Sequence, residues 1–205
     1  MKHLFYPAIL IFISIGLPLL AAESESDTCK WYSPSHLRFQ FAGNIGAISA
    51  GPSWISAQDK LELTVSLGYV PPAETGKTIH IAALKGVYKP KVEIKIRNLA
   101  IRPLALGMVT SYTFGDQYNK YQNRNHYPKG YYPWNPGWRT ALLYEAEIFA
   151  PFEKGIFKGI SFFSELTFWD LYVVSKFGNY NYSALSFRDI MTLGVGIKSF
   201  LANRK

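Results

Sequence analysis

The chain has 205 residues, with 22 Lys+Arg against 14 Asp+Glu for a formal net charge of +8, and a single cysteine. Charged residues make up 18% of it and aromatics 16%, where soluble domains average roughly 25% charged. This balance excludes a disordered tail, a coiled coil and a collagen-like repeat, and the lone Cys29 excludes an intrachain disulfide framework or a cysteine-rich zinc site.

The chain opens on Lys2-His3, an apolar run from Leu4 to Leu20, and the small residues Ala21-Ala22 before Glu23. That is the layout of a secretory signal peptide for export through the Sec route. The run is shorter than the roughly 20 apolar residues a spanning helix needs, and Pro7 and Pro18 interrupt it. We expect residues 1–22 to be the signal, 23–35 a flexible mature N-terminus, and 36–201 the folded domain.

From His36 onward the pattern has a period of two, the signature of strands with two unlike faces. Leu37, Phe39 and Phe41 alternate with His36, Arg38 and Gln40. Residues 45–54 are a second strand after a Gly43-Asn44 turn, or the same strand past a bulge. Leu61, Leu63, Val65, Leu67 and Tyr69 oppose Glu62, Thr64, Ser66 and Gly68. The next strand, 78–88, slips phase near Lys85, and 89–100 either extends it or forms a turn excursion. Leu104, Leu106, Met108, Tyr112 and Phe114 then oppose Ala105, Gly107, Val109, Ser111 and Thr113. In 139–149, Leu142, Tyr144, Ala146 and Ile148 oppose Leu143, Glu145 and Glu147. In 160–172, Ile160, Phe162, Leu166 and Phe168 oppose Ser161, Glu165 and Thr167. Near the end, Met191, Leu193, Val195 and Ile197 oppose Thr192, Gly194, Gly196 and Lys198.

Counting Gly43-Asn44 as a turn gives eight strands, with short connections at 56–60 and 151–158 and long ones at 115–138 and 174–187. Short turns at one end and long loops at the other predict an all-β fold, an antiparallel up-and-down transmembrane β-barrel of eight strands. A soluble carrier barrel alternates too, with its apolar face inward. The membrane version is favoured by the export signal and by a polar face rich in Gly, Ala, Ser and Thr. It is also favoured by aromatics near strand ends: Tyr69, Tyr112, Phe114, Trp169 and Tyr172 at one end, and Trp54, Phe149, Phe152 and Phe157 at the other. Placing Arg38, Glu62, Glu145, Glu147, Glu165 and Lys198 inside avoids the roughly 2–4 kcal/mol cost of a cation facing lipid at the midplane.

Gly76-Lys77-Thr78-Ile79-His80, leading into a strand that ends at Tyr88, and then Ile101-Arg102-Pro103-Leu104-Ala105-Leu106-Gly107 resemble small outer-membrane barrels. Over about residues 60–115 the chain resembles the lipid A 3-O-deacylase family. That resemblance implies a bacterial outer-membrane barrel and, by extension, an esterase-like His-Ser-Glu set on its outer surface. The family's His and Ser lie in a His-x-Ser-Asn run on a late strand. Here that strand reads ELTFWDLYVV from Glu165 to Val174, and none of His3, His36, His80 and His126 begins a His-x-Ser. No catalytic residue carries over.

Among the individual residues, Glu145 and Glu147 share a face and are expected to form a salt-bridge plug with Arg38, Arg139 or Lys198 rather than an acid/base pair. His80 is a candidate general base with Glu62 as its orienter, or else a rim histidine. His126 has no second ligand at metal spacing, so no metal and no cofactor are expected. The segment from Gly115 to Trp138 is basic and aromatic. Its Lys120, Arg124, Lys129, Tyr131, Trp134 and Trp138 form a candidate surface-binding loop for lipopolysaccharide. Nucleic acid is not expected as a partner of an exported chain. The expected function is that of a monomeric outer-membrane barrel with a structural or surface-binding role and no open channel. The alternatives are a lipid-modifying outer-membrane enzyme, or a secreted soluble ligand-binding barrel whose apolar faces line a cavity.

Overall fold

The structure is a computed structural model that describes residues 33–56, 59–115, 137–153, 155–169 and 191–201. Its strands are β1 His36–Ala42, β2 Ile48–Ile55, β3 Leu61–Val70, β4 Ile79–Tyr88, β5 Ile94–Ile96, β6 Leu99–Phe114, β7 Trp138–Pro151, β8 Phe157–Trp169 and β9 Met191–Leu201. A four-residue helical turn, α1 (Pro72–Thr75), lies between β3 and β4. Among the described residues no helix is long and apolar enough to cross a membrane.

Apart from β5, each strand pairs antiparallel with the next one in the chain, β4 pairs with β6, and β1 pairs with β9, so eight strands close into a barrel. Closure leaves no free edge in the wall. β5 pairs with β6 alone and stands outside the ring. It resolves the stretch after Tyr88 as a turn excursion: a small hairpin reversing at Arg97, whose φ is 52°. The 43–47 stretch is likewise a true turn between two strands, with the Ala42 N–H donating to the Ala47 carbonyl at 2.8 Å. Gly46 holds φ at 111° there, and a Cβ on it would meet the Tyr69 carbonyl oxygen at 2.9 Å. Only glycine satisfies both demands.

The strands are strongly tilted, as barrel closure requires. One pairing row runs Ile101, Ile148, Phe162, Ile197, Phe39, Ala50, Leu67, Ala82. It returns to β6 at Tyr112 rather than at Ile101. Every residue of this row is on the outer face.

The alternation lies as expected in β1, β3, β6 from Leu104 onward, β7, β8 and β9, with the apolar residues outside. Phe41, Leu67, Leu106, Met108, Leu142, Phe162 and Leu193 are all more than half exposed. β4 departs from expectation because there is no phase slip at Lys85. Ile79, Ile81, Ala83, Lys85 and Val87 all face inward. The sequence looks out of phase because the barrel interior is itself apolar over the upper half of β4, β6 and β7. There Ile79, Ile81, Ala83, Val109, Ala141 and Leu143 pack with Ile45. A real irregularity occurs on β6, where the register to β7 shifts between Arg102 and Ala105. This bulge turns Arg102 onto the inner face opposite Glu147 and leaves Leu104 outside. The Tyr144 hydroxyl donates to the Pro103 carbonyl beside it.

Two aromatic placements differ from the expected girdle. Trp169 pairs with buried Ala141 and packs against the inner apolar cluster. Phe149 pairs with buried Ser161 and meets Phe200 edge-on at 5.2 Å, inside the short-turn mouth. In both cases strand parity, rather than nearness to a strand end, decides the face. Tyr112, Phe114 and Trp138 do form an outer cluster, with ring centroids 5.1 and 5.3 Å apart. Ser35, at the end of the expected flexible segment, is buried and bonds to the Ser53 carbonyl and the Leu201 N–H. Residues 1–22 and most of 23–35 lie outside the described residues.

Candidate functional site

The interior below the apolar cluster is a network of ionised side chains. Among the described residues, Arg38, Lys85, Lys89 and Lys198 are buried together with Glu62, Glu145, Glu147 and Glu165. The inward parity of six strands delivers them: Arg38 from β1, Glu62 from β3, Lys85 from β4, Glu145 and Glu147 from β7, Glu165 from β8 and Lys198 from β9. Lys89 follows directly after β4.

Arg38 lies at the centre. Its guanidinium reaches Glu62 at 3.1 Å, Glu145 at 2.6 Å and Glu165 at 2.7 Å. The Lys198 ammonium contacts Glu62 at 3.1 Å, Glu145 at 2.5 Å and Glu147 at 2.9 Å. Lys89 joins Glu62 at 2.5 Å to Glu147 at 3.3 Å. Lys85 donates to Glu165 and, at 3.0 Å, to Gln40. The Phe163 ring lies 3.9 Å from the Arg38 guanidinium carbon, a cation–π contact inside the lumen. At the short-turn end Arg102 extends the network outward from Glu147 at 2.9 Å to Glu93 at 3.0 Å. His36 closes the floor, stacked on Phe200 at 4.7 Å, with Nε2 3.5 Å from Glu62.

This geometry constrains the chemistry. Each buried carboxylate is held by at least two cations, so none is free to act as a general base. Oxygens of Glu62, Glu145 and Glu147 lie within 4.8 Å of one another, a spacing a metal ion could use. The Lys198 ammonium already contacts all three and supplies the positive charge there. Among the described residues the buried charges balance, four cations against four carboxylates, which compensates the cost of desolvating them.

The expected plug of Glu145 and Glu147 therefore forms with Arg38 and Lys198. Arg139 takes no part, because it stands opposite Ser111, nearer the long-loop end. The suggested pairing of His80 with Glu62 does not occur. His80 is exposed on the outer face, 5.8 Å from the Tyr69 ring and in register with Phe114, whereas Glu62 is inside. Lys85 and Lys89 were missed because of the apparent slip in β4. Strict alternation counted on from Ile79 through Val87 would have placed both inside. Of the candidate binding loop, Trp138 opens β7, half-exposed against Tyr112. Lys120, Arg124, Lys129, Tyr131 and Trp134 lie outside the described residues.

Comparison of the chain with protein-family models, with curated proteins and with solved structures returns no match.

Proposed function

We propose that the chain is a monomeric bacterial outer-membrane β-barrel with a structural or surface-binding role and no open channel. One observation carries the reading: a closed barrel exposes a continuous apolar outer face while burying its ions. In water that arrangement would be inside out, and in a bilayer it is the arrangement that hydrocarbon and a closed wall require. The soluble-carrier alternative needs apolar faces around a cavity, the reverse of the burial found. The lipid-modifying alternative has no support at His80, whose neighbours in the register are Tyr69 and Phe114.

The long loop supplies the surface role. Lys120, Arg124 and Lys129, interleaved with Tyr131, Trp134 and Trp138, suit the phosphates and sugars of lipopolysaccharide. The barrel's other partner is outer-membrane lipid.

The test is envelope fractionation of the native host, followed by electrophoresis of unboiled and boiled protein. Recovery in the outer membrane with a heat-dependent mobility shift is expected, together with no stepwise conductance in planar bilayers. Recovery in the soluble periplasm without a shift would overturn the reading. Replacing Lys120, Arg124 and Lys129 by Gln is expected to abolish retention on immobilised lipopolysaccharide; unchanged retention would remove the loop from the proposal.

A further inference from the structure

Among the described strands, β5, which forms a hairpin with the start of β6, is the one that the closed wall does not need. β5 pairs on one side only, and every residue from Lys91 to Leu99 is exposed. One of the hairpin's two faces is apolar all the same. Ile94 pairs with Ile101 and Ile96 with Leu99. Cross-strand partners share a face, so these four form one apolar surface, with Ile94, Ile96 and Leu99 each more than two-fifths exposed.

That surface continues the outer face of the barrel. Ile101 pairs onward with Ile148, and Ile148 with Phe162. The apolar row that winds round the wall thus runs off β6 onto the hairpin instead of stopping at the rim. The other hairpin face is ionic: Glu93 bonds Arg102 at 3.0 Å and lies 3.7 Å from Lys95. The hairpin also carries Lys91, Lys95 and Arg97 against the single acid Glu93. It is therefore an amphipathic, net-positive tab at the short-turn end, the end where β1 begins and β9 finishes, with His36 opposite Phe200.

We propose that this hairpin is a docking surface for anionic phospholipid. Resting on the membrane reading above, it lies in the headgroup region of the leaflet that meets the short turns. Ile94, Ile96 and Leu99 lie against the acyl chains, and Lys91, Lys95 and Arg97 meet the phosphates. Two features favour lipid over a protein strand as occupant: continuity of the apolar row with the barrel's outer face, and the excess of cations at the tip. Each cation close to an anionic bilayer surface is worth about a fivefold change in partition.

The experiment uses the full chain with Cys29→Ser, reconstituted into phosphatidylcholine vesicles with or without phosphatidylglycerol. An environment-sensitive fluorophore is attached at Ile96→Cys or, as the reference, at Phe162→Cys on the barrel wall. Lipids brominated on the acyl chain serve as quenchers. Both labels are expected to be quenched. Quenching at position 96, but not at 162, should rise with phosphatidylglycerol, and that rise should vanish when Lys91, Lys95 and Arg97 are replaced by Gln. A quenched label at 162 with an unquenched, water-exposed label at 96 overturns the hairpin proposal and leaves the barrel reading standing. Absence of quenching at both positions overturns the membrane reading itself. A label at 96 that is shielded from lipid in proportion to protein concentration assigns the hairpin to a second copy of the chain, which also overturns the proposal.

Discussion

Arg38 on β1 and Lys198 on β9 stand directly opposite each other in the pairing register, two cations side by side in the barrel interior with at most 3% exposure. Glu145 and Glu165 are opposite each other in the same way on β7 and β8. Like charges facing across a strand pair repel. Here the cation pair and the anion pair interlock, with Arg38 bound to both carboxylates and Lys198 to Glu145. The barrel is held across its lumen by contacts that no single hairpin contains.

Breaking that interlock leaves a buried ion uncompensated. Glu145→Gln is expected to lower stability by about 3–5 kcal/mol, measured by urea titration of the vesicle-folded protein. Combined with Lys198→Met, the loss should be smaller than the sum of the two single losses, because the partners form one network. Additive losses would mean that the two residues act independently.

The same side chains fill the lumen. Wild-type protein in a planar bilayer is expected to carry no discrete current. The triple variant Arg38→Ala, Glu145→Ala, Phe163→Ala removes the central guanidinium, one of its carboxylates and the ring stacked on it, and is expected to admit ion steps. A sealed triple variant with an intact heat shift would show that the lumen is closed elsewhere.

Phe162 is 58% exposed at the middle of β8, and Phe114 is 49% exposed at the long-loop end of β6. In a bilayer, Phe162→Arg should cost about 2–4 kcal/mol and Phe114→Arg about 0–1 kcal/mol. At a water-exposed surface both changes would stay within about 0.5 kcal/mol. Equal, small effects of the two substitutions in vesicle unfolding would count against membrane burial of the belt.

Gly196 lies where a Cβ would meet the Phe39 carbonyl oxygen at 2.1 Å and the Phe163 ring at 2.5 Å, whereas a Cβ on Gly86 would meet nothing within 4 Å. Gly196→Ala is expected to destabilise by about 1–3 kcal/mol through overpacking, with Gly86→Ala close to neutral. Reversed ranking of their urea midpoints would contradict the close approach of β1, β8 and β9 around Phe163.

Much of this was legible in the sequence because a strand's side chains alternate with a period of two. Arg38, Glu62, Glu145, Glu165 and Lys198 each sit in an apolar alternation, so parity sets them on the face opposite the apolar one, and the cost of a charge facing lipid puts that face inside. β4 was less legible because Ile79, Ile81 and Ala83 are apolar and yet inside, which hides the parity that places Lys85. Arg102 was hidden for the opposite reason: the bulge after it reverses the parity within one strand, and its signal is Pro103, which has no N–H to give the ladder. Phe149 and Trp169 were assigned by distance from strand ends, which carries no information about face.

Alternation by itself determined the all-β class and which residues share a face in six strands, because these depend only on local backbone geometry. Tertiary structure alone decided which charges meet. Arg38 and Glu145 are separated by 107 residues, and their contact depends on the stagger that carries a pairing row from Ile101 round to Tyr112. Stagger is a property of the closed ring, summed over every strand pair, and no segment of the chain contains it.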